Sequence, residues 1–343
     1  MASTQTPYIL FKDSNVVETL HLYMSNLEHL ATDSCGQLST LISFLQLAIK
    51  TVAHRLQRLK LGNLLSSFNY WTLTCEKVPS IINDEFIHIL TNSGCCYQII
   101  SNLNDEPISI ENAKQGKYIV CFQGINLDER NIACDLPTAS IFSIYRKEMK
   151  EEEDTLFSQT LSNLKEEYLV ASGYAIYGAS VNVVIGIKNF GVTHYVLDPV
   201  LGELVVMEKH MKIPQKARIL SINEGNEYLW EPQIVEYLKK RKDPKQGIPL
   251  KSRFTGCLAA DFHCVLKTGG IYLCPSTRKM PHGQHSLICE CIPLAFLALL
   301  CGGAATTGKT NILNVHPEKL KQQTPFFIGC GEEVYDLLHL SNP

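Results

Sequence analysis

The chain has 343 residues, enough for about two domains or one large one. With 45% hydrophobic and 19% charged residues it can build an ample core, which excludes disorder over most of its length. Its 31 basic and 34 acidic residues leave a formal charge of −3, which argues against a broad basic face for nucleic acid or a polybasic patch for a membrane.

Thirteen cysteines are too few for a disulfide scaffold of this length, and their number is odd. No C-x-x-C pair occurs, so neither a zinc ribbon nor a thioredoxin-type motif is written here. The start, MASTQTPYILFKD, lacks a basic segment followed by an apolar one. The expectation is reduced cysteines used as small core residues in a cytoplasmic protein. The apolar run from Cys289 to Gly303 is broken at Glu290 and Pro293 and falls short of the roughly 20 residues that span a bilayer.

In chain order, residues 14–61 read as helices. Ser34-x-x-Gln37 is a capping-box pattern, in which hydroxyl and amide satisfy each other's orphan backbone N–H groups. Leu38, Leu41, Ile42, Leu45, Ile49, Val52 and Leu56 follow as a helical stripe. From Tyr118 the period shortens. Tyr118–Phe122, Ile141–Tyr145, Ala175–Ile187, His194–Leu197, Leu204–Met207 and Arg218–Ile222 read as strands between Gly, Pro, Asn and Asp turns. Lys147–Asp154 reads as a solvated acidic loop. Glu231–Lys242 and Ile292–Leu300 read as helices, and Gly270–Cys274 and Phe326–Gly329 as strands. The class is therefore α/β, or layered α+β, without an internal repeat.

Gly303-Ala-Ala-Thr-Thr-Gly308-Lys309-Thr310 matches the phosphate-loop pattern literally. Such a loop must leave a strand and open a helix so that amides and dipole meet phosphate. Here a helical segment precedes it and a short strand-like run follows, so the expectation is a glycine-terminated helix and a turn. His282-Gly-Gln-His285 lies beside Pro281 with no third ligand, so both histidines are expected in an exposed turn. The carboxylate pairs Asp105-Glu106 and Asp128-Glu129 suit surface turns, although convergent carboxylates can also hold Mg²⁺ against a phosphate.

A family resemblance rests on several segments. They are Gly173-Tyr-Ala-Ile-Tyr-Gly178, Leu197-Asp-Pro-Val-Leu-Gly-Glu203 and Ser221-Ile-Asn-Glu-Gly225, then Arg253-Phe-Thr-Gly-Cys-Leu-Ala-Ala-Asp261 and Gly269-Gly-Ile-Tyr-Leu-Cys-Pro275. Glu290-Cys-Ile-Pro293 and Gly302-Gly-Ala-Ala-Thr-Thr-Gly-Lys309 complete them. In this order and spacing they resemble class I fructose-1,6-bisphosphatase, from Gly116-Lys-Tyr-Ile-Val-Cys-Phe122 to Gly329, with a looser fit over the first 110 residues. The resemblance implies an α-β-α-β-α layered fold, with an N-terminal regulatory half (1–205) and a C-terminal sugar-phosphate half (206–343). It also implies self-association, as a tetramer or dimer, with neither nucleic acid nor membrane as partner.

The departures from the family pattern fall on the chemistry. Its members hydrolyse the 1-phosphate with two or three divalent ions, held by a Glu-Glu pair, by both aspartates of Asp-Pro-Leu-Asp-Gly-Ser-Ser, and by a glutamate before the last helix. The Glu-Glu pair falls on Asn102 and Leu103, and the two aspartates on Gln123 and Asn126. Gly-Ser-Ser becomes Leu127-Asp128-Glu129, with one residue inserted near Arg130. Acidic residues that help activate water fall near Leu73 and Pro79, and only Glu290 of the metal ligands remains. Mg²⁺ takes about six oxygens, with its charge met largely by carboxylates, and amides supply none of that charge. Asp128 and Glu129 would also set negative charge where phosphate rests, at roughly 4 kcal/mol per contact at 4 Å and an effective dielectric near 20.

At the sugar pocket the resemblance keeps Asn223 and Arg253 for the 6-phosphate, the arginine normally reaching across a subunit interface. Expected tyrosines read Asn226, Phe254 and Cys274, an expected lysine reads Gln284, and a nearby arginine reads Ser286. The family's AMP site is better kept: Cys35-Gly36-Gln37-Leu38-Ser39 stands at a helix start, with Lys117, Tyr118 and Arg146 at the other contact positions. The leading expectation is a family member without phosphatase chemistry and without a cofactor, acting by binding or assembly. One alternative is an active Mg²⁺-dependent sugar phosphatase with relocated carboxylates, drawn from Asp105, Glu106, Asp128, Glu129 and Glu290. The other is a regulatory subunit of an active homologue.

Overall fold

The computed structural model describes residues 17–30, 36–59, 70–110, 116–125, 129–147 and 160–341. Its first half is an eight-stranded sheet. The strands are β1 (Cys96–Ser101), β2 (Ile108–Ser109), β3 (Tyr118–Gln123), β4 (Thr138–Arg146), β5 (Leu169–Tyr177), β6 (Val181–Ile187), β7 (Gly191–Asp198) and β8 (Glu203–Glu208). They lie in the order β2-β1-β3-β4-β5-β6-β7-β8. Only the β1–β3 pair is parallel.

The sheet's central strands β3 to β6 are buried on both faces, so they are apolar over most of their length. In β3, Tyr118, Val120 and Phe122 face one core, and Ile119 and Cys121 the other. The first core is closed by α1 (Leu20–Leu30), α2 (Gln37–Leu59) and α3 (Tyr70–Thr91). Leu41, Ile42, Leu45, Ile49 and Val52 of the predicted stripe are buried along α2. Ser34 of the predicted capping box lies outside the described residues, as do residues 148–154 of the predicted acidic loop.

After the short α4 (Glu129–Ala133) and the first sheet, the second half builds β9 (Ile219–Ser221), α5 (Pro232–Lys242), β10 (Lys251–Ser252), α6 (Leu258–Thr268) and β11 (Gly270–Cys274). Then come β12 (His285–Ser286), α7 (Ile292–Leu300), β13 (Gly303–Thr306), β14 (Gln323–Thr324), β15 (Phe326–Cys330) and α8 (Gly331–Ser341). The second sheet runs β10-β9-β11-β15-β13, and β12 pairs with β14 apart from it. Helices α6 and α7 fill the space between the two sheets, while α5 and α8 cover the far face. The layers are α-β-α-β-α, as the resemblance implied.

On that far face, Glu333 of α8 accepts from the Tyr237 hydroxyl at 2.5 Å and from Arg241 Nε at 2.6 Å, joining α8 to α5. Among the described residues no helix is long and apolar enough to cross a membrane.

The segment that matched a phosphate loop is strand β13, antiparallel to β15, followed by a tight turn. Gly302, at φ +76°, ends α7 as expected. The turn's own amides are consumed: Gly308 N–H donates to Thr306 Oγ1 at 3.1 Å, and Lys309 N–H to Thr307 Oγ1 at 3.2 Å. Only a three-residue 3-10 turn, Ile312–Asn314, follows, and Asn311 Oδ1 already caps it by accepting from Leu313 N–H, so the segment forms no phosphate cradle.

One residue is clamped by both halves. The Thr255 amide donates to Asp261 Oδ1 at 2.9 Å, and its carbonyl accepts from Asn131 Nδ2 at 3.1 Å. Asp261 lies in the first turn of α6 and is 1% exposed. Burial pushes its pKa up to about 6, and the Thr255 amide limits the rise. A carboxyl whose folded pKa is raised from 3.8 binds more protons folded than unfolded. Its stabilising contribution is therefore full below pH 3.8 and is lost as pH rises through about 6. Asp261→Asn removes this dependence. Relative to wild type, the variant should gain roughly 2–3 kcal/mol between pH 4 and pH 7 in urea unfolding.

Candidate functional site

A cleft of about 630 Å³ opens where the two sheets meet. Asn102 follows β1 and Gln123 ends β3 on one side, while Ile222 follows β9 and Cys274 ends β11 on the other. Both pairs sit at the carboxyl ends of parallel neighbours, where successive strand ends leave a crevice. Glu290 closes the floor from the single π turn, Leu287–Cys291, that leads into α7. Ser286 caps this turn, its Oγ accepting from Cys289 N–H at 3.2 Å.

Glu290 is 6% exposed, and both its oxygens are engaged. Oε2 accepts from the Ser286 amide at 2.7 Å, and Oε1 lies 3.4 Å from His285 Nδ1. His285 Nε2 is 2.8 Å from the Tyr272 hydroxyl. Burial disfavours a charge on this imidazole, but the Cys274 sulfur and the Glu290 carboxylate outweigh it and raise its pKa to about 10. The expectation of two exposed turn histidines therefore holds for His282 and fails for His285. The short β12–β14 pairing, His285 with Thr324, turns that side chain into the cleft.

The other sequence-predicted positions are dispersed. Asn102 and Gln123 line the cleft with neutral amides, and Leu103 is exposed. Lys321 donates to the Leu103 carbonyl at 3.3 Å and pairs with Asp105 at 2.7 Å. That hydrogen bond holds the exposed Asp105 carboxyl below its ordinary range. Glu106 is also exposed. Asn126 and Asp128 lie outside the described residues, and Glu129 begins α4. Pro79 sits inside α3 and carries no proton to exchange. Among the described residues no three His, Cys, Asp or Glu side chains gather to hold a metal ion. The described residues thus do not fit the divalent ions that the family resemblance implies: one carboxylate is left, and it already has partners.

Of the sugar-pocket positions, Asn223, Asn226, Phe254, Cys274, Gln284 and Ser286 all line the cleft. Arg253 follows β10 on the exposed edge, its amide donating to Leu220 O at 2.9 Å. The nucleotide positions lie elsewhere. Tyr118 and Arg146 pair across β3 and β4, and Lys147 N–H donates to Lys117 O at 2.8 Å. Gly36, at φ +71°, precedes α2, on which Ser39 stands. Gln37 Oε1, Ser39 Oγ and Glu28 Oε1 are buried without hydrogen-bond partners among the described residues.

Two mixed sheets interleaved with three helical layers, with a polar cleft at facing strand ends, define a sugar-phosphatase architecture. The chain matches the family profiles "Fructose-1-6-bisphosphatase, N-terminal domain" over residues 18–209 and "Fructose-1-6-bisphosphatase, C-terminal domain" over 213–342. It is 31% identical to fructose-1,6-bisphosphatase 1 of Bos taurus over 335 residues, 96% of each chain. It is 33% identical to the cytosolic fructose-1,6-bisphosphatase of Arabidopsis thaliana, over 93% of each. The crystal structure of Leishmania major fructose-1,6-bisphosphatase in holo form superposes with a TM-score of 0.86 at 26% identity, covering 96% of this chain and 100% of that one. The chain belongs to the fructose-1,6-bisphosphatase family.

Removing one partner of a buried ion pair strands the other. Glu290→Ala should therefore lower stability by roughly 3 kcal/mol. Glu290→Gln, which keeps an acceptor for the Ser286 amide, should cost about 1 kcal/mol. Urea midpoints of the two variants against wild type check the order.

Proposed function

We propose that this family member carries no fructose-1,6-bisphosphate phosphatase activity and acts by binding or assembly. The observation that carries the reading is the state of Glu290: its oxygens face the Ser286 amide and His285, while the neighbouring positions present the neutral Asn102 and Gln123. Divalent ions in such a reaction generate the nucleophile and offset charge on the transferring phosphoryl group. One engaged carboxylate and two amides supply neither the charge nor the oxygens for them. Cys274 and Gln284 likewise lack the donors expected for a sugar phosphate, and each lost charged donor weakens binding by about 1.5–3 kcal/mol.

Self-association belongs to the same reading. Tyr228 and Phe254 are exposed where they line the cleft, and Ile248 and Arg253 are exposed in and after the segment leading to β10. Apolar and guanidinium groups of this kind favour a protein partner, either a second copy or an active homologue. Eleven cysteines, from Cys95 to Cys330, are free thiols, which suits a reducing, cytoplasmic setting.

Phosphate release from fructose 1,6-bisphosphate with Mg²⁺ or Mn²⁺ should stay at background, using protein whose fold and oligomeric state have been checked. Turnover of about 1–10³ s⁻¹, the ordinary enzyme range, would establish relocated carboxylates and overturn the reading.

A second reading, nucleotide binding, is favoured by the partnerless Gln37 and Ser39 oxygens at the start of α2, where backbone amides and the dipole attract phosphate. Glu28 opposes it: a Cβ on Gly36 would lie 3.9 Å from Glu28 Oε1, so this carboxylate already occupies the helix start. AMP at about 100 times its Kd would stabilise the fold by roughly 2.7 kcal/mol, visible as a rise in Tm. An unchanged Tm over millimolar AMP removes this reading.

A further inference from the structure

Two imidazoles meet where α6 of the second half lies against the first sheet, at the edge of the core between the sheets. The ring centroids of His194, on β7, and His263, on α6, are 5.3 Å apart. His194 is 8% exposed, and its Nε2 is 2.9 Å from Asn182 Oδ1 of β6. An amide oxygen only accepts, so Nε2 holds the proton and Nδ1 is a bare acceptor. That Nδ1 is buried without a hydrogen-bond partner. Nδ1 of His263 is 2.8 Å from the Tyr174 hydroxyl of β5.

The charges facing this pair come from both halves. Glu208 of β8 stands opposite His194 across the ladder and pairs with Lys267 of α6 at 2.5 Å. Lys267 is one turn along α6 from His263. The other titratable neighbours are Tyr174 with Cys264 and Cys301, and Lys212, which donates to Leu300 O at 2.9 Å. Burial raises the pKa of the phenol and of both thiols, so they stay uncharged in acid.

Neutral rings suit this place and charged ones do not. Burial, the neighbouring ring and Lys267 bring the His263 pKa down to about 4; burial and Lys267 lower that of His194. Glu208 works the other way, but its carboxylate already meets Lys267. A proton on His194 would leave Nδ1–H without an acceptor, and a proton on either ring would set like charges together.

We propose that His194 and His263 form an acid-sensitive clasp between the two halves, closed while both rings are neutral and opened by proton uptake. Opening separates α6 from β7 and returns the rings to water. A ring whose closed pKa lies below its ordinary 6.5 takes up protons on opening. The clasp therefore holds above pH 6.5 and weakens as pH falls toward 4. For His263 alone, opening becomes about twentyfold easier between pH 7 and pH 5. Asp261 has the opposite pH dependence, but a comparison of chains that both contain it cancels its contribution.

Amide hydrogen exchange of the native chain at pH 7 and pH 5, corrected for its intrinsic pH dependence, reads the clasp. In wild type, protection over 191–198 and 258–268 should fall at least about twentyfold, and further than over 118–123 of β3. His263→Gln can still meet the Tyr174 hydroxyl but takes up no proton, and should shrink that fall by about tenfold. A wild-type fall no larger in the two segments than over 118–123, or an equal fall in the folded variant, overturns the proposal. A variant unprotected at pH 7 has lost its fold, and the test then rests on imidazole NMR of the wild type. There, a His263 ring that stays neutral down to pH 5 while the two segments lose protection supports the clasp. One that titrates at its ordinary 6.5 overturns it.

Discussion

The layer between the two sheets sets the conditions for everything else. It must bury apolar groups on two sides at once, so α7 has no polar face: residues 292–298 are all buried. The sheets adapt to it by omission. A Cβ on Gly186 of β6 would lie 2.6 Å from Leu297 Cδ2, so glycine there lets helix and strand approach. With α7 held this tightly, the π turn at its start is held too, and Glu290 points out of the core into the cleft. Glu290 is thus placed by packing against both sheets.

Placement and chemistry are separable here. The chain shares the layered framework of the fructose-1,6-bisphosphatase family, and its facing strand ends present the neutral Asn102 and Gln123. Where an array of carboxylates would call for external cations, this chain meets the charge of Glu290 internally, with a backbone amide and an imidazole. An internal ion pair of this kind needs no ligand to satisfy a buried charge, whereas an unpartnered carboxylate at the same depth would. His285, Gln284 and Cys274 lie within one cluster around the same glutamate.

The two halves are joined at the cleft's back by backbone as well as by core. Thr255 uses both its amide and its carbonyl in bonds to side chains from opposite halves, Asp261 and Asn131. Such bonds fix the segment that carries Phe254 to the cleft. Any partner that reads this cleft meets a surface set by the junction of the halves.

The sequence was most informative where one face or a whole element is buried. The stripe on α2, the strands from Tyr118 onward and the apolar α7 were legible, because burial imposes a period or a run that survives in one dimension. Element α3 was not, since Pro79 lies inside it, and β13 hid within a glycine-rich turn pattern. Motif order carried the family. What needed the tertiary structure was the role of His285. It stands five positions before Glu290 and eleven after Cys274, and nothing in those spacings says that a two-residue strand pairing with Thr324 turns the ring between them. The sequence by itself determined that Asn102, Leu103 and Gln123 carry no charge, because a side chain's chemistry is the same in any fold. Only the tertiary structure decided which groups meet, because hydrogen bonds between residues on different elements depend on packing that local sequence does not encode.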